Sequence, residues 1–373
     1  MQKIYIVVGE RSGDMHAAQL IEALRRSSSS HLQFRGIGGH AMQELGVDLF
    51  SVHHELSAKG ITETLRKLGV QNKKRKSCEK DILSYRPDLM LYVDFPGFNL
   101  PLAKFTHSLG IPNLYYIPPK TWLSRSYRLK SLNRYIQCIL CIFPFEYEYF
   151  REHHPCVHYV GNPSVHHIKQ HVWDKDWIQT QCQDSNLRVA LLPGSRSDDV
   201  KVLKSLLPMI SRRKDIRFYI PAIAGLEKSY ALVQDMENVR VVYKRFYDIL
   251  KISQAAIVGL GTASLEAALL DVPHMICHQF HWLTKALFPL LVHKSVVSLP
   301  NLILGKETIK EYIASKVNTF KVEKELNKLI ENSSYRKNIL TDFKSIRSLL
   351  GNKEAGKEVA HQVLDFLNSP KNV

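Results

Sequence analysis

The chain has 373 residues, 45% hydrophobic and 23% charged, with a formal net charge of +16. That length suggests about two domains, each large enough for its own core, and the composition excludes a disordered or fibrous chain. The opening run Ile4–Gly9 is too short for a signal peptide or a membrane span, and the apolar stretch from Ala286 to Val292 is broken by Pro289, so a cytoplasmic protein is expected.

Lys3 to Val8 alternates as a strand and leads into Gly9-Glu10-Arg11-Ser12-Gly13-Asp14, a glycine-bearing turn, before an amphipathic helix over roughly Met15–Arg26. Phe34–Gly39 reads as a second strand followed by a short helix and a polar loop. A basic helix then begins near Leu56. Ile61, Leu65 and Leu68 stand at helical spacing there, and Arg66, Lys67, Lys73, Lys74, Arg75, Lys76 and Lys80 carry the charge. Such a helix suits a membrane surface, a nucleic acid or plain solvation. No nucleic-acid module accompanies it, so an anionic membrane surface is the expected partner and nucleic acid is not.

Leu89–Val93 is a buried strand that carries Asp94 to its carboxyl end, and Phe95-Pro96-Gly97-Phe98-Asn99 turns into the next helix. A carboxylate at the tip of a central parallel strand is placed for catalysis, so Asp94 is a candidate general base; capping the following helix is the alternative. Strands at Asn113–Ile117 and Ile136–Phe143, a loop at Pro118–Trp122, a basic helical stretch to Arg134 and a helix at Phe145–His153 complete a first domain. The polar segment 169–186 reads as a link. Cys138-Ile139-Leu140-Cys141 lies in an apolar strand-like run and reads as core thiols. Neither the six cysteines nor the 17 histidines have convincing metal-site spacing.

Leu187–Leu192 is again a strand, ending in Pro193-Gly194-Ser195-Arg196 and a helix start. Free N–H groups at such a turn, a glycine that permits close approach and a forked guanidinium suit a diphosphate, although a solvated arginine beside a Pro-Gly turn is the plainer reading of this stretch alone. A second strand–turn–helix at Ile257–Gly261, followed by Thr262-Ala263-Ser264-Leu265-Glu266, strengthens the first, since one α/β sheet would present both turns along its carboxyl edge. Glu266 is placed to hold ribose hydroxyls or to complement the helix dipole. Strands are expected at Phe218–Ile220, Val239–Val242, Ala255–Val258 and His274–Cys277, and past Leu299–Gly305 the pattern is helical to the end, broken at Gly351. The expected division is 1–168, 169–345 and a helical tail 346–373 that packs back or is exchanged with a second copy.

Six blocks in order, Gly9–Asp14, Asp94–Asn99, Phe143-Pro144-Phe145-Glu146, Leu192–Arg196, Gly261–Glu266 and Ser298-Leu299-Pro300-Asn301-Leu302, resemble those of lipid-A-disaccharide synthases. The resemblance implies a GT-B fold, with two Rossmann-like domains facing across a cleft and C-terminal helices packing back. It also implies a metal-independent, cofactor-free inverting glycosyltransferase. That enzyme joins UDP-2,3-diacylglucosamine to 2,3-diacylglucosamine 1-phosphate through a β-1,6 link, peripherally bound to the inner membrane, with a homodimer through C-terminal exchange as a further expectation. Asp94 then matches the base, Arg196 with Gly194, Ser195, Gly261 and Thr262 the diphosphate cradle, and Glu266 the ribose partner. Asn301 matches a further catalytic residue, while Glu10, Ser12, Gly13 and Asn99 fall on the acceptor side. Pro118–Ser124 and His278-Gln279 depart from the family pattern. Another GT-B enzyme acting on UDP-GlcNAc, such as a lipid-acceptor transferase or a 2-epimerase, and a non-catalytic basic membrane-bound protein are the competing readings.

Overall fold

The structure, a computed structural model, describes residues 1–52, 61–123, 126–279, 296–315 and 317–368; the side chains of 61–68 lie outside the described residues. Short β-branched and aromatic runs form thirteen described strands in two wholly parallel sheets. The first contains β1 Gln2–Val8, β2 Leu32–Gly38, β3 Asp48–Val52, β4 Leu89–Val93, β5 Asn113–Tyr116, β6 Cys138–Cys141 and β7 Val157–Tyr159, in the order β3-β2-β1-β4-β5-β6-β7. The second contains β8 Leu187–Leu192, β9 Ile216–Ala222, β10 Val239–Tyr243, β11 Ala255–Val258, β12 His274–Gln279 and β13 Glu311–Ala314, in the order β10-β9-β8-β11-β12-β13. Central strands such as Ile4–Val8 and Leu89–Val93 are inaccessible to solvent along their whole length, which is why they read as continuous apolar runs.

The chain divides into two compact units, Met1–Pro163 with Asn352–Val373, and Ser164–Gly351. The boundaries therefore fall at Pro163/Ser164 and Gly351/Asn352 rather than at 168/169 and 345/346. The C-terminal helix Ala355–Asn368 packs on the helix Arg11–Ser27 of the same chain; a Cβ on Gly356 would lie 3.4 Å from the Gln19 carbonyl oxygen.

Three expectations are corrected. The segment 169–186 is not a bare link: the helix Pro163–Gln170 runs into it, and the helix Lys175–Cys182 is capped by the Asp174 carboxylate, which accepts the Trp177 N–H at 2.9 Å. Trp177 then packs edge-on to Tyr219 at 6.1 Å, so a polar stretch hides an anchoring aromatic. The loop after β2 contains β3, and the helical C-terminal region contains β13. Both strands are short, four or five residues at sheet edges, and leave little alternation to read.

Candidate active site

In each sheet the strand order reverses once. The chain leaves β1 toward β2 and β3 and resumes on the other side at β4; it leaves β8 toward β9 and β10 and resumes at β11. Crevices outside the carboxyl ends of strands at such reversals are where open α/β sheets bind ligands. All four turns picked out in the sequence lie at these two points.

In the first unit, Gly9 follows β1 and is buried beneath the Phe95 ring, where a Cβ would meet ring carbons at 2.0 to 2.4 Å. Glycine alone lets the β1 and β4 turns close on each other. The helix Arg11–Ser27 begins immediately, with Glu10 as its N-cap, so the run expected to be a turn is mostly a helix start. Glu10 and Ser12 are exposed, but Gly13 is buried against the sheet, its would-be Cβ 3.3 Å from the Val8 Cβ; it packs the helix onto the strand rather than facing an acceptor. Asp14, 3% exposed, accepts the N–H groups of Gly39, Ala41 and Met42 at 2.7, 3.0 and 3.3 Å and so caps the helix His40–Glu44 from a different element.

Asp94 and Phe95, at the end of β4, are both left-handed, with φ of 48° and 49°. For non-glycine residues this costs about 1–3 kcal/mol each and persists only where the surroundings impose it. Here the Asp94 N–H donates to the Tyr116 carbonyl at 3.0 Å, while its own carbonyl accepts the Asn99 amide at 2.7 Å and the Tyr115 hydroxyl at 2.5 Å. The N-cap position of the following helix is held by Phe95, which makes no side-chain cap, and the Asp94 carboxylate beside it is half-buried. Asn99 is fully buried and holds this turn from behind, which removes it from the acceptor-facing set.

Glu146 escaped the sequence reading although it closes the Phe143–Glu146 block. It is 2% exposed and accepts the Trp122 indole N–H at 3.3 Å. Burial pushes its carboxyl up to about 8; nearby Lys120 and the Trp122 bond oppose this, and the negative charge of Asp94 adds to it. An acid amid three aromatic residues, Phe143, Phe145 and Tyr147, was the available signal.

The second unit builds its turns from backbone. Gly194 has φ of 129°, and a Cβ there would lie 2.6 Å from the Asp199 Cβ. The Asp199 carboxylate accepts the Arg196 N–H at 3.2 Å, and Arg196 is the N-cap of the helix Ser197–Val200. Gly259 donates to the Leu192 carbonyl at 2.7 Å, and a Cβ on it would fall 2.3 Å from the Pro193 oxygen, so the β8 and β11 turns touch. Ser195, Arg196, Gly261 and Thr262 are exposed beside this contact. Thr262 is the N-cap of the helix Ala263–Leu269, on which the half-buried Glu266 receives the Tyr247 hydroxyl at 2.7 Å and the Ser164 hydroxyl at 3.5 Å. Burial pushes the Glu266 carboxyl up to about 7, and both hydroxyl bonds oppose the rise. Tyr247 and Ser164 are far from Glu266 in sequence and carried no motif.

Asn301 is a further correction. It is fully buried in the helix Leu299–Leu304, donates to the Ile309 carbonyl and the Glu311 carboxylate at 2.9 and 2.8 Å, and accepts the N–H groups of Thr308 and Ile309 at 2.8 and 3.0 Å. Its side chain is committed to the loop before β13, with Glu311 as the partner that sequence reading missed. The basic helix, Ile61–Tyr85, is described in part: the side chains of Ile61, Leu65, Arg66, Lys67 and Leu68 lie outside the described residues. Lys73 and Lys76 are exposed, but Lys74 lies 5.7 Å over the Phe50 ring and Arg75 pairs with Glu79 at 2.9 Å, so these two serve the unit's own surface. No described helix is long and apolar enough to cross a membrane.

A family model described as Lipid-A-disaccharide synthetase matches residues 4–363. The chain belongs to the lipid-A-disaccharide synthase family. It is 30% identical over 375 residues to that synthase from Geobacter sulfurreducens, covering 98% of this chain and 97% of the relative, and 30% identical over 381 residues to the one from Methylobacillus flagellatus, covering 98% and 100%. Among solved structures, the fold is similar to a UDP complex of S. aureus MnaA (TM-score 0.68, 12% identity, 100% and 98% coverage). It is also similar to UDP-GlcNAc 2-epimerase from Neisseria meningitidis bound to UDP-GlcNAc (0.66, 15%, 98% and 100%) and to the glycotransferase of kitacinnamycin (0.67, 12%, 98% and 99%). The two Rossmann-like units are thus of the GT-B type, and membership makes the chain a hexosyltransferase of lipid A biosynthesis.

Proposed function

We propose that the chain condenses UDP-2,3-diacylglucosamine with 2,3-diacylglucosamine 1-phosphate, releasing UDP and forming the β-1,6-linked disaccharide 1-phosphate with inversion. The observation that carries the nucleotide half is the contact between the β8 and β11 turns, which sets Ser195, Arg196, Gly261 and Thr262 side by side at a strand-order reversal. The N–H groups of Ser195, Gly261 and Thr262 and the Arg196 guanidinium take up the negative charge that develops on the leaving diphosphate, a task fixed dipoles and cations perform without a metal ion. Glu266, once ionised, accepts the ribose hydroxyls. Asp94 removes the proton from the acceptor 6-hydroxyl as that oxygen attacks the anomeric carbon, with Glu10 and Ser12 on the acceptor side. The UDP and UDP-GlcNAc bound by the structural neighbours agree with a uridine nucleotide.

Acyl chains that contribute about 0.8 kcal/mol per buried CH₂ keep both substrates in a membrane, so the enzyme works at its surface. Exposed Lys73 and Lys76 supply attraction to anionic headgroups on the inner membrane. The deciding experiment incubates purified protein with both acylated sugars and follows UDP release and disaccharide by mass spectrometry. Turnover of UDP-GlcNAc alone, with no disaccharide from the acylated pair, would replace this reading with 2-epimerisation.

A further inference from the structure

β7 is a three-residue strand at the edge of the first sheet and, among the described residues, pairs with β6 alone. At the amino ends of these two strands, on the opposite edge of the sheet from the Asp94 turn, three metal-ligating side chains converge. Cys138 opens β6, Cys156 immediately precedes β7 and His158 lies within it. The Ile139 N–H donates to the Cys156 carbonyl at 3.0 Å, and Ile139 is in register with Val157, so Cys138 stands across from Cys156. Cys156 and His158 are two residues apart in extended chain and share one face. Cys141, three residues beyond Cys138, points to the other face, which is why the CxxC spacing itself makes no chelate.

The ligand atoms of Cys138, Cys156 and His158 all lie within 4.8 Å of one another, the one such group among the described residues. The Cys156 Sγ and a His158 ring nitrogen, Nε2, are 3.6 Å apart. A tetrahedral zinc ion with Zn–S of about 2.3 Å and Zn–N of about 2.0–2.1 Å sets its sulfur and nitrogen ligands about 3.6 Å apart. Cys138 is fully buried while Cys156 and His158 are half-buried, so the group has a dry inner side and an open approach. His154, 5% exposed, accepts the Cys156 backbone N–H on Nδ1 at 3.2 Å and donates from Nε2 to the Ile136 carbonyl at 3.0 Å, which fixes the segment that presents Cys156.

We infer that Cys138, Cys156 and His158 form a structural site for a thiophilic d10 cation, Zn²⁺ foremost, that fastens the edge strand β7 to β6. Two thiolates and an imidazole are the ligand chemistry of such ions, and the fourth position is left to water or a small thiol. The site takes no part in sugar transfer. Its role is to close a sheet edge that three backbone-paired residues hold weakly.

The test uses full-length protein purified reduced and stripped of metal, titrated with Cd²⁺ while the ultraviolet thiolate-to-cadmium charge-transfer band is followed, and with Zn²⁺ against a chromophoric chelator. One equivalent is expected per chain, with a rise in Tm on Zn²⁺ addition. Cys156→Ser and, separately, His158→Ala should weaken binding by about 100-fold or more, at or beyond the upper end of losses seen for outer-shell partners. Cys182→Ser, which removes an exposed thiol elsewhere, should bind as the parent does. The inference fails if the parent shows no band, if the band survives Cys156→Ser intact, or if the unreduced chain proves lighter by two hydrogens with Cys138 and Cys156 joined as a disulfide.

Discussion

The two strand-order reversals occupy the same place in two similar sheets, yet they are built from opposite materials. At the β1/β4 reversal the chain presents a side chain: Asp94 and Phe95 are held in left-handed geometry, and Asn99, Tyr115 and Gly9 are committed to keeping them there. At the β8/β11 reversal it presents backbone, with Gly194 and Gly259 stripped of side chains so that two loops can abut. A proton acceptor must be a titratable side chain at one point. A diphosphate cradle needs several dipoles over an area, and glycine turns supply them.

The largest expected effect separates the two halves. Asp94→Ala should lower the transfer rate by about 10²–10⁴-fold, the usual share of general-base catalysis, while UDP binding measured by calorimetry stays at the parent value. A variant that kept full transfer would show that the strained turn serves something other than proton removal. Next, Gly259→Ala puts a methyl group 2.3 Å from the Pro193 oxygen. It should cost about 1–3 kcal/mol of stability and raise the Kd for UDP, and a parent-like Tm together with parent-like UDP affinity would mean that the two turns do not need their contact. Asn99→Ala removes a buried amide that the Asp94 carbonyl depends on and should cost about 1–3 kcal/mol. Its kinetic mark should be a lower kcat with UDP affinity intact, so that an equal loss in both would point to general unfolding.

The smallest effect is a slope. Folded Glu146 keeps its proton up to about pH 8, whereas in the unfolded chain it loses it near the ordinary glutamate value of 4.5. Between those limits the folded state binds the extra proton, so this group's contribution to stability is lost as pH rises and is flat above about 8. Between pH 7 and 8 the loss is at most about 1.4 kcal/mol. Glu146→Gln should flatten the Tm–pH curve over that interval, and an unchanged slope would remove Glu146 as its cause.

Much of this architecture was legible because parallel sheets leave continuous apolar runs that end in glycine or an acid. Gly9, Asp94, Gly194 and Gly261 were found that way, each at the end of a run such as Ile4–Val8 or Leu187–Leu192. Direction was not legible. Gly13, Asn99 and Asn301 belong to motifs that suggest contact with substrate, but each turns into the protein, and only three-dimensional partners such as Val8, the Asp94 carbonyl and Glu311 show it. Tyr247 and Ser164 reach Glu266 from remote segments, and no local spacing announces them. β3 and β13 were missed because an edge strand of four or five residues borrows its stability from its neighbour rather than from its own pattern.

The helix Ala355–Asn368 has a consequence for the order of events during synthesis. It completes the unit begun by β1, with the Gln2 amide donating to the Leu367 carbonyl at 3.3 Å, although all of Ser164–Gly351 lies between them in the chain. All of Ser164–Gly351 is therefore synthesised before the first unit has its full set of residues. Until its last helix emerges, the first must wait with the underside of Arg11–Ser27 uncovered. Deleting residues 352–373 should accordingly make Met1–Pro163 sensitive to protease while Ser164–Gly351 survives as a resistant fragment, and limited proteolysis with mass mapping would reveal the reverse at once.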